Sequence, residues 1–357
     1  MASESKWFAI RKELSPKKRI LLTVLSFLLP IGIWCAFSYV PWLYHPMVEI
    51  SDPGDVPRWK EGTLVKQEIF EQSNKLTADK NGQVAIGTPA NPVYLPAPHE
   101  VAIAFYEGFT TPPRRRGQPW LHESIWHSIK VIFWGFTFSS LLGVPLGILC
   151  GTYPFFSRLH EPFIEFFRYL PAPAFGALAV AILGINDGPK VAIIFIGTFF
   201  QQVLVIGNTA RKLDVALLEA AQTLGANKIN LLRRVVVPGI LPDLYKDMRI
   251  LLGWAWTYLI VAELIGTYSG ITWFIDQQSR YRNFDKVYAA IIIIGIIGLS
   301  TDMFLAWLGK HIFPWTQTKQ SKISIFLHRL FGPLNQTAFL SKKKESSRKP
   351  LTANEPS

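Results

Sequence analysis

The sequence predicts an all-α polytopic membrane protein with six transmembrane helices and one polar insert. Of its 357 residues, 49% are hydrophobic and only 17% are charged, with a mean hydropathy of +0.22. This balance is too apolar for an ordinary soluble domain. Long apolar runs also recur between short polar segments, and about 20 apolar residues are what a helix needs to cross the hydrocarbon core.

The first apolar run, 20–40, follows a basic N-terminal tail, 1–19. A signal peptide has a shorter apolar core and a small-residue cleavage site, whereas this run ends among Tyr39, Trp42 and Tyr44. We therefore expect a retained transmembrane helix that enters from the cytoplasm, with its aromatic residues at the far interface.

The other spans are expected at about 125–150, 171–185, 190–207, 250–268 and 287–308, which places both termini in the cytoplasm. A cytoplasmic bridge containing Arg158 and Arg168 is expected before the third span. Pro171 and Pro173 open that span and are expected to distort it.

Glycines in two of these spans indicate close helix packing. Gly143, Gly147 and Gly151 recur four residues apart in the second span, and Gly295 and Gly298 lie in the sixth. Small residues at such spacing let helix backbones approach each other in lipid, where packing rather than hydrophobic burial holds helices together.

Two segments differ from the apolar runs. Residues 41–97 are polar and rich in Pro, Gly, Asn and Asp, which predicts an extracytoplasmic insert of loops with a few short strands. The tail 316–357 is basic, includes Lys342–Lys344 and is expected in the cytoplasm. A net charge of +12 would suggest nucleic acid in a soluble protein, but membrane topology explains it here and we expect no nucleic-acid partner.

No metal or catalytic site is expected. His122 and His127 nearly match the zinc-protease pattern H-E-x-x-H, but they are five apart, and at about 100° per residue they diverge by about 140° around a helix. Cys35 and Cys150 lie in apolar runs and are interpreted as small core residues. We expect no metal and no cofactor.

A polar helix-turn-helix pattern, 214–242, lies between the fourth and fifth spans. Asp214 is a plausible N-cap, and Gly225 stands where a left-handed residue would end the first helix. Asn227 can cap a second short helix, which Pro238 is expected to stop. The pattern predicts a helical elbow on the cytoplasmic face, where a cluster of basic residues independently places it: Arg211, Lys212, Arg233, Arg234, Lys246 and Arg249.

The segment Glu219-Ala220-Ala221, followed by Gly225 and by Val237-Pro238, resembles the "EAA" motif of binding-protein-dependent ABC importer permeases. The spacing is kept, and valines replace the usual Ile and Leu before the proline. The resemblance implies the type I ABC importer permease fold over a core at 98–315. It also implies that the loop 214–242, with Glu219, Ala220, Ala221, Gly225 and Pro238, couples to an ATPase. Without this resemblance, the loop would be read as an ordinary amphipathic loop.

Two further segments resemble one branch of that family, which imports nitrate, taurine, other sulfonates and bicarbonate. They are Leu95–Val101, which is similar to "LPSPxEV", and Ala262–Gly266, which is similar to "AEMIG". After the latter, Thr272 and Trp273 replace a glycine and an aromatic residue of the branch pattern.

The resemblance implies a subunit of the bacterial inner membrane that works with a second copy of itself, two ATPase subunits and an extracytoplasmic solute-binding protein. The implied solute is a small anion such as nitrate, bicarbonate, taurine or another sulfonate. The sequence contains no G-x-x-x-x-G-K-[ST] phosphate loop. We therefore expect ATP hydrolysis in a separate subunit, so that this chain is a transporter subunit and not an enzyme.

Four polar residues inside the expected spans are candidates for a solute pathway or for structural hydrogen bonds: Gln201, Gln202, Glu263 and Asp302. For Glu263 a structural role is favoured, and Asp302 could pair with a cation of the elbow. An ion-coupled secondary transporter remains an alternative, in which Glu263 and Asp302 would be the leading site residues. A membrane enzyme would need a catalytic constellation, and the seven histidines are scattered.

Overall fold

The structure is a computed structural model and describes residues 15–40, 42–113, 117–265 and 269–316. The basic residues before position 15 and the tail 317–357, both part of the sequence-based topology, lie outside the described residues, as does Gly266. The chain divides into two units after Met303. As the sequence predicts, it is mostly helical.

Twelve helices and three strands are described. The helices are α1 (Pro16–Tyr39), α2 (Gln67–Ala78), α3 (Pro98–Thr110), α4 (Leu121–Thr152), α5 (Pro154–Arg168), α6 (Gly176–Leu183), α7 (Gly188–Arg211), α8 (Val215–Thr223), α9 (Lys228–Leu231), α10 (Val237–Leu264), α11 (Ile271–Arg280) and α12 (Phe284–Ile312). The strands are β1 (Met47–Asp52), β2 (Leu64–Lys66) and β3 (Ile86–Ala90).

Among the described residues, four helices are long and apolar enough to cross a membrane: α1, α4, α7 and α12. They match the first, second, fourth and sixth predicted spans. A fifth candidate is the pair formed by α5 and the segment Ala172–Leu183, which is bent by 88°. The prediction of one third span opening at Pro171 is therefore wrong, because α6 has only eight residues, about 12 Å of helix. The bend falls at Pro171 and Pro173, which interrupt helical hydrogen bonding.

Residues 250–264 of the predicted fifth span, 250–268, lie in α10, which begins at Val237 rather than at about 250 and ends at Leu264. Its first half is polar, and α10 is not among the helices that are apolar enough to cross by length and composition. Pro238 does not stop the elbow's second helix, contrary to the prediction. A π-helical turn, Leu232–Val236, precedes it, and Pro238 then occupies the first turn of α10, where a missing N–H is tolerated.

The close contact of α4 with α7 runs through the glycines of α4. A Cβ at Gly147 would lie 2.9 Å from Cβ of Ile206 and 2.9 Å from the Val203 carbonyl oxygen. Gly143 meets Gln202 and Gly151 meets Ala210 in the same way. The predicted packing role of these three glycines is confirmed. The same prediction is wrong for the glycines of α12 within the described chain, because no heavy atom lies within 4 Å of where a Cβ would stand at Gly295 or Gly298.

The insert folds around a three-stranded antiparallel sheet in the order β2-β1-β3. Met47 pairs with Lys66 on one side and with Ala90 on the other. The sequence predicts the short strands but not helix α2. Asn74 of α2 joins the helix to the chain before β3, because its side chain donates to the Ala85 carbonyl and accepts from the Ala85 N–H, both at 2.9 Å.

Aromatic residues hold the insert between α1 and α3. Trp34 Nε1 donates to the Pro96 carbonyl at 3.0 Å, and the hydroxyls of Tyr44 and Tyr94 lie 2.6 Å apart. On α3, Val101 and Ala104 are buried against α1 and α12. These two side chains of α3 therefore pack inside the protein.

We predict that Gly147→Val destabilises the protein by about 1–3 kcal/mol, because the new methyl groups overlap α7 and neither backbone can move away freely. The measurement is the midpoint of thermal unfolding in detergent. The matched control is Gly253→Val on α10, where the structure shows no heavy atom within 4 Å. Equal shifts for the two variants would contradict the close contact of α4 and α7.

Candidate functional site

The elbow has the local geometry that its sequence predicts. The Asp214 side chain accepts a hydrogen bond from the Ala216 N–H at 3.0 Å and caps α8. Gly225 has φ +81°, and the N–H groups of Gly225 and Ala226 donate to the carbonyls of Gln222 and Ala221. This is a Schellman C-cap, in which glycine avoids the strain of a left-handed residue. At the start of α9, the Asn227 side chain accepts from the Asn230 N–H at 2.8 Å.

One face of the elbow is fixed to the helix bundle. Leu218 of α8 packs against a buried cluster that joins α7 to the start of α10, with Ile206, Val236 and Ile240 at its centre. The Tyr153 hydroxyl, at the end of α4, donates to the Lys228 carbonyl at 3.5 Å. Packed side chains therefore connect α8 to α7 and α10.

Other apolar side chains of the elbow are exposed: Val215, Leu217, Leu224 and Ile229. Leu224 is 88% exposed, so its side chain adds no apolar burial to the stability of the isolated chain. The Glu219 side chain is also exposed, and no described residue donates a hydrogen bond to it. An exposed apolar surface with an acidic residue beside it is typical of a protein interface.

The basic residues around the elbow are partly neutralised. Arg211 pairs with Glu161 of α5, and Arg249 donates to both oxygens of Asp302 at 2.8 and 2.9 Å. Asp302 thus has the kind of cationic partner expected for it, on a neighbouring helix. Lys212, Arg233 and Arg234 are exposed, and none of the salt bridges among the described residues involves them.

The two adjacent glutamines of α7 have different environments. Gln202 is fully buried; it accepts from the Ser139 hydroxyl at 2.9 Å and donates to the Ser140 oxygen at 3.2 Å. Its hydrogen bonds join α7 to α4. Gln201 instead lines a cavity on another side of α7.

Glu263 lies at the end of α10 that is remote from the elbow, and it is fully buried. Its carboxylate accepts from the Ser128 hydroxyl at 2.5 Å and from the Thr272 N–H at 2.8 Å, and Ser128 in turn accepts from the Ile271 N–H at 2.9 Å. Glu263 therefore attaches the N-terminus of α11 to α4 and α10. Gly270 makes this possible, because it has φ +115° and a Cβ there would overlap the Glu263 carboxylate.

A second buried polar network near Glu263 is absent from the sequence-based prediction. Lys190 is fully buried at the start of α7; it pairs with Asp187 at 3.2 Å and donates to the Ser269 carbonyl at 3.1 Å. His127 of α4 lies 2.9 Å from the other oxygen of Asp187. In the sequence, Asp187 and Lys190 flank Gly188-Pro189 directly before an apolar run. This arrangement is the signal from which the ion pair could have been predicted.

Asp187 is the shared counter-ion of this network. Burial by itself raises the pKa of its carboxyl group, but the charges of His127 and Lys190 and their hydrogen bonds outweigh burial and hold the pKa below its usual value. Asp187 is therefore ionised at neutral pH and balances the charge of Lys190.

A cavity of about 370 Å³ lies where the end of α5 meets α7 and α10. Its lining includes Arg168, Gly197, Gln201, Trp254 and Tyr258. The expectation that Arg168 belongs to a cytoplasmic bridge is wrong. Helix α5 runs back along α7, so that Phe167 stacks on Phe200 with ring centroids 5.4 Å apart, which places Arg168 beside the middle of α7.

The described residues contain no group of three or more His, Cys, Asp or Glu side chains that could hold a metal ion. His122 lies against the Trp120 ring, and His127 belongs to the network of Asp187. Cys150 is buried and Cys35 is partly buried, both as free thiols.

We predict that Gly270→Ala lowers the unfolding midpoint more than Gly184→Ala. Both positions have positive φ, so that both variants incur the backbone strain of about 1–3 kcal/mol, but only a Cβ at 270 meets the Glu263 carboxylate. Thermal unfolding of both purified variants provides the comparison. Equal decreases in the two unfolding midpoints would show that overlap of a Cβ at position 270 with the Glu263 carboxylate does not affect stability.

We predict that Asp187→Asn destabilises the protein at neutral pH, because it leaves buried Lys190 without a counter-ion. A depressed carboxyl pKa adds stability that is complete above the ordinary value of about 4 and is lost as pH falls through the lower folded value. The difference between wild type and variant is therefore expected to be constant above about pH 7, outside the range in which a histidine partner titrates, and to shrink below about pH 4. Unfolding midpoints across pH measure this. Asp243→Asn, which breaks an exposed ion pair with Lys246, is the control and is expected to have a small effect.

Comparisons with known proteins identify the family. Residues 143–314 match the model of the family described as "Binding-protein-dependent transport system inner membrane component". A "Probable ABC transporter permease protein" of Brucella abortus is 33% identical over 193 residues, which cover 54% of this chain and 77% of that relative.

Two further relatives belong to named transport systems. The taurine transport system permease protein TauC of Escherichia coli is 29% identical, over 63% of this chain and 81% of TauC. The bicarbonate transport system permease protein CmpB of Synechococcus elongatus is 27% identical, over 52% of this chain and 67% of CmpB. The resemblance to this branch is confirmed. The chain belongs to the inner-membrane components of binding-protein-dependent transport systems and is the permease subunit of an ABC importer.

Proposed function

We propose that the elbow 214–242 of this permease docks on a separate ATPase subunit and transmits its movements to the transmembrane helices. The supporting observation is the exposed apolar face of α8 and α9 on a rigid, capped and packed scaffold. Glu219 supplies the charge of this face. Ala220 and Ala221 permit close approach of the partner backbone, and Gly225 sets the bend.

Movement of the elbow has a short physical route into the bundle. Pro238 lies at the start of α10, so that α10 continues directly from the elbow. The Thr209 hydroxyl, near the end of α7, donates to the Asp247 carboxylate of α10. In the proposed cycle, closure of the ATPases moves α8, and α7 and α10 follow as one body to alternate access to the solute.

The proposed assembly contains two copies of this chain, two ATPase subunits and an extracytoplasmic binding protein that delivers the solute. The absence of a phosphate loop from the sequence supports ATP hydrolysis in the partner and a purely transporting role for this chain. Both termini and the elbow are proposed to face the cytoplasm, and the insert 41–97 the opposite side.

The proposed solute is a small anion such as taurine, another sulfonate, bicarbonate or nitrate. The names of the taurine and bicarbonate relatives support this class. Gln202, Glu263 and Asp302 are proposed to be structural, since each bonds within the bundle. Gln201 is proposed to face the solute path.

We predict that Glu219→Lys, Leu224→Asp and Gly225→Val each abolish uptake while the protein stays in the membrane. The first two alter an exposed interface without touching the core, and the third strains the bend by about 1–3 kcal/mol. The measurements are affinity purification of the tagged chain in mild detergent, with the ATPase as the companion sought, and cellular uptake of taurine, nitrate and bicarbonate.

The matched control is Glu71→Lys, an exposed charge reversal on α2 that is expected to leave the ATPase bound. Normal transport by Glu219→Lys and Gly225→Val would refute the coupling role. Recovery of the wild type as a lone subunit that transports in lipid vesicles would favour an ion-coupled carrier instead.

A further inference from the structure

We propose that the cavity between α5, α7 and α10 is a selectivity site for the transported anion, with Arg168 as its charge and Gln201 and Tyr258 as neutral partners. This inference rests on the proposed function, since it names the residues that recognise an anionic solute within the path. It differs from the coupling role of the elbow, because it assigns a binding site in the membrane domain.

The depth of the cavity supports a place on the solute path. Gly197 and Gln201 are the tenth and fourteenth of the 24 residues of α7. At 1.5 Å per residue they lie about 14 and 20 Å from its first residue, in the central part of the span. Arg168 is exposed, and the stack of Phe167 on Phe200 places it beside this part of α7, where an ionisable residue indicates a functional site.

The charges in the lining favour an anion. Among the described residues that line the cavity, Arg168 carries a positive charge and none is an aspartate or glutamate. No described carboxylate forms a salt bridge with Arg168, although Glu165 lies only one turn earlier on α5. The guanidinium donates to the Tyr169 hydroxyl at 3.2 Å, and further N–H groups remain for a planar or tetrahedral oxyanion.

The neutral groups complete the site. A Cβ at Gly197 would lie 2.7 Å from the Tyr258 ring, so this glycine lets the ring rest directly on the α7 backbone. Trp254, one turn earlier on α10, adds a second aromatic side chain. The Gln201 amide and the Tyr258 hydroxyl offer hydrogen bonds, and the rings offer an apolar surface for the carbon chain of an organic anion.

The test uses the full-length protein in nanodiscs of zwitterionic lipid, with methanesulfonate as the probe and neutral dimethyl sulfone as its uncharged analogue. Saturation-transfer NMR of the methyl resonance, titrated over concentration, gives the Kd of each compound. We expect methanesulfonate to bind at least about tenfold more tightly than dimethyl sulfone, since hydrogen bonds to a charged group are the stronger kind.

Variants locate the site. Arg168→Gln is expected to weaken methanesulfonate binding at least about tenfold and to leave dimethyl sulfone unchanged. Arg168→Lys is expected to restore part of the affinity, because it keeps the charge but not the planar fork. Tyr258→Phe keeps the aromatic ring against Gly197 and is expected to weaken methanesulfonate binding less than Arg168→Gln does. Arg158→Gln is the control and is expected to bind as wild type, because Arg158 is on the same helix but is not among the residues that line the cavity.

Several results would overturn the proposal. The first is equal affinity of the wild-type protein for methanesulfonate and dimethyl sulfone. The second is wild-type affinity of Arg168→Gln for methanesulfonate, and the third is an equal loss of methanesulfonate affinity in Arg158→Gln and Arg168→Gln. Loss of methanesulfonate binding on adding anionic lipid, with less lipid retained by Arg168→Gln, would assign the site to a lipid phosphate instead. The binding assay needs no ATPase, so its result does not depend on whether the elbow couples to an ATPase. If the anion site is refuted, the proposed coupling role of the elbow is unaffected.

Discussion

The close contact between α4 and α7 is the constraint on which the rest of the structure depends. Gly143, Gly147 and Gly151 let the two backbones approach to a distance that any side chain would prevent. At that distance a single buried amide, Gln202, can reach serine hydroxyls across the seam. In lipid, where burial of apolar surface contributes little between helices, such packing and hydrogen bonding supply the stability. The seam makes α4 and α7 one rigid unit, against which α5 and α10 are placed.

The two ends of the unit formed by α4 and α7 differ in how their polar and apolar side chains are accommodated. At the end that carries the elbow, polar and charged side chains pair with each other or stay exposed, while the apolar face of α8 has no partner in the described chain. At the opposite end, Glu263 and Lys190 are fully buried, and their hydrogen bonds reach Ser128, Ser269 and the start of α11. The contact of α4 with α7 thus lies between an exposed apolar surface at one end and a buried polar network at the other.

Much of the candidate site was predictable because its signals are local. The caps at Asp214 and Asn227 and the left-handed Gly225 follow from chemistry within a few residues of the backbone they satisfy. Pro238 was misinterpreted because a π-helical turn, which no local pattern announced, accommodates it. Asp187 and His127 were missed as a pair because they are 60 residues apart. Arg168 was placed in a bridge because it lies between two expected spans in the sequence, whereas its position beside α7 is set by α5 running back along α7.

The sequence alone determined that the chain crosses a membrane several times, where four of its spans begin and end, and that a capped helical elbow interrupts them. These properties depend on composition, on the 20-residue requirement of the bilayer and on backbone chemistry within one or two turns. Tertiary structure alone decided which glycines carry packing, since Gly147 meets α7 and Gly298 meets nothing in the described chain. It also decided which polar residues are satisfied and which face a cavity, because hydrogen-bond partners and depth come from helices that are distant in sequence.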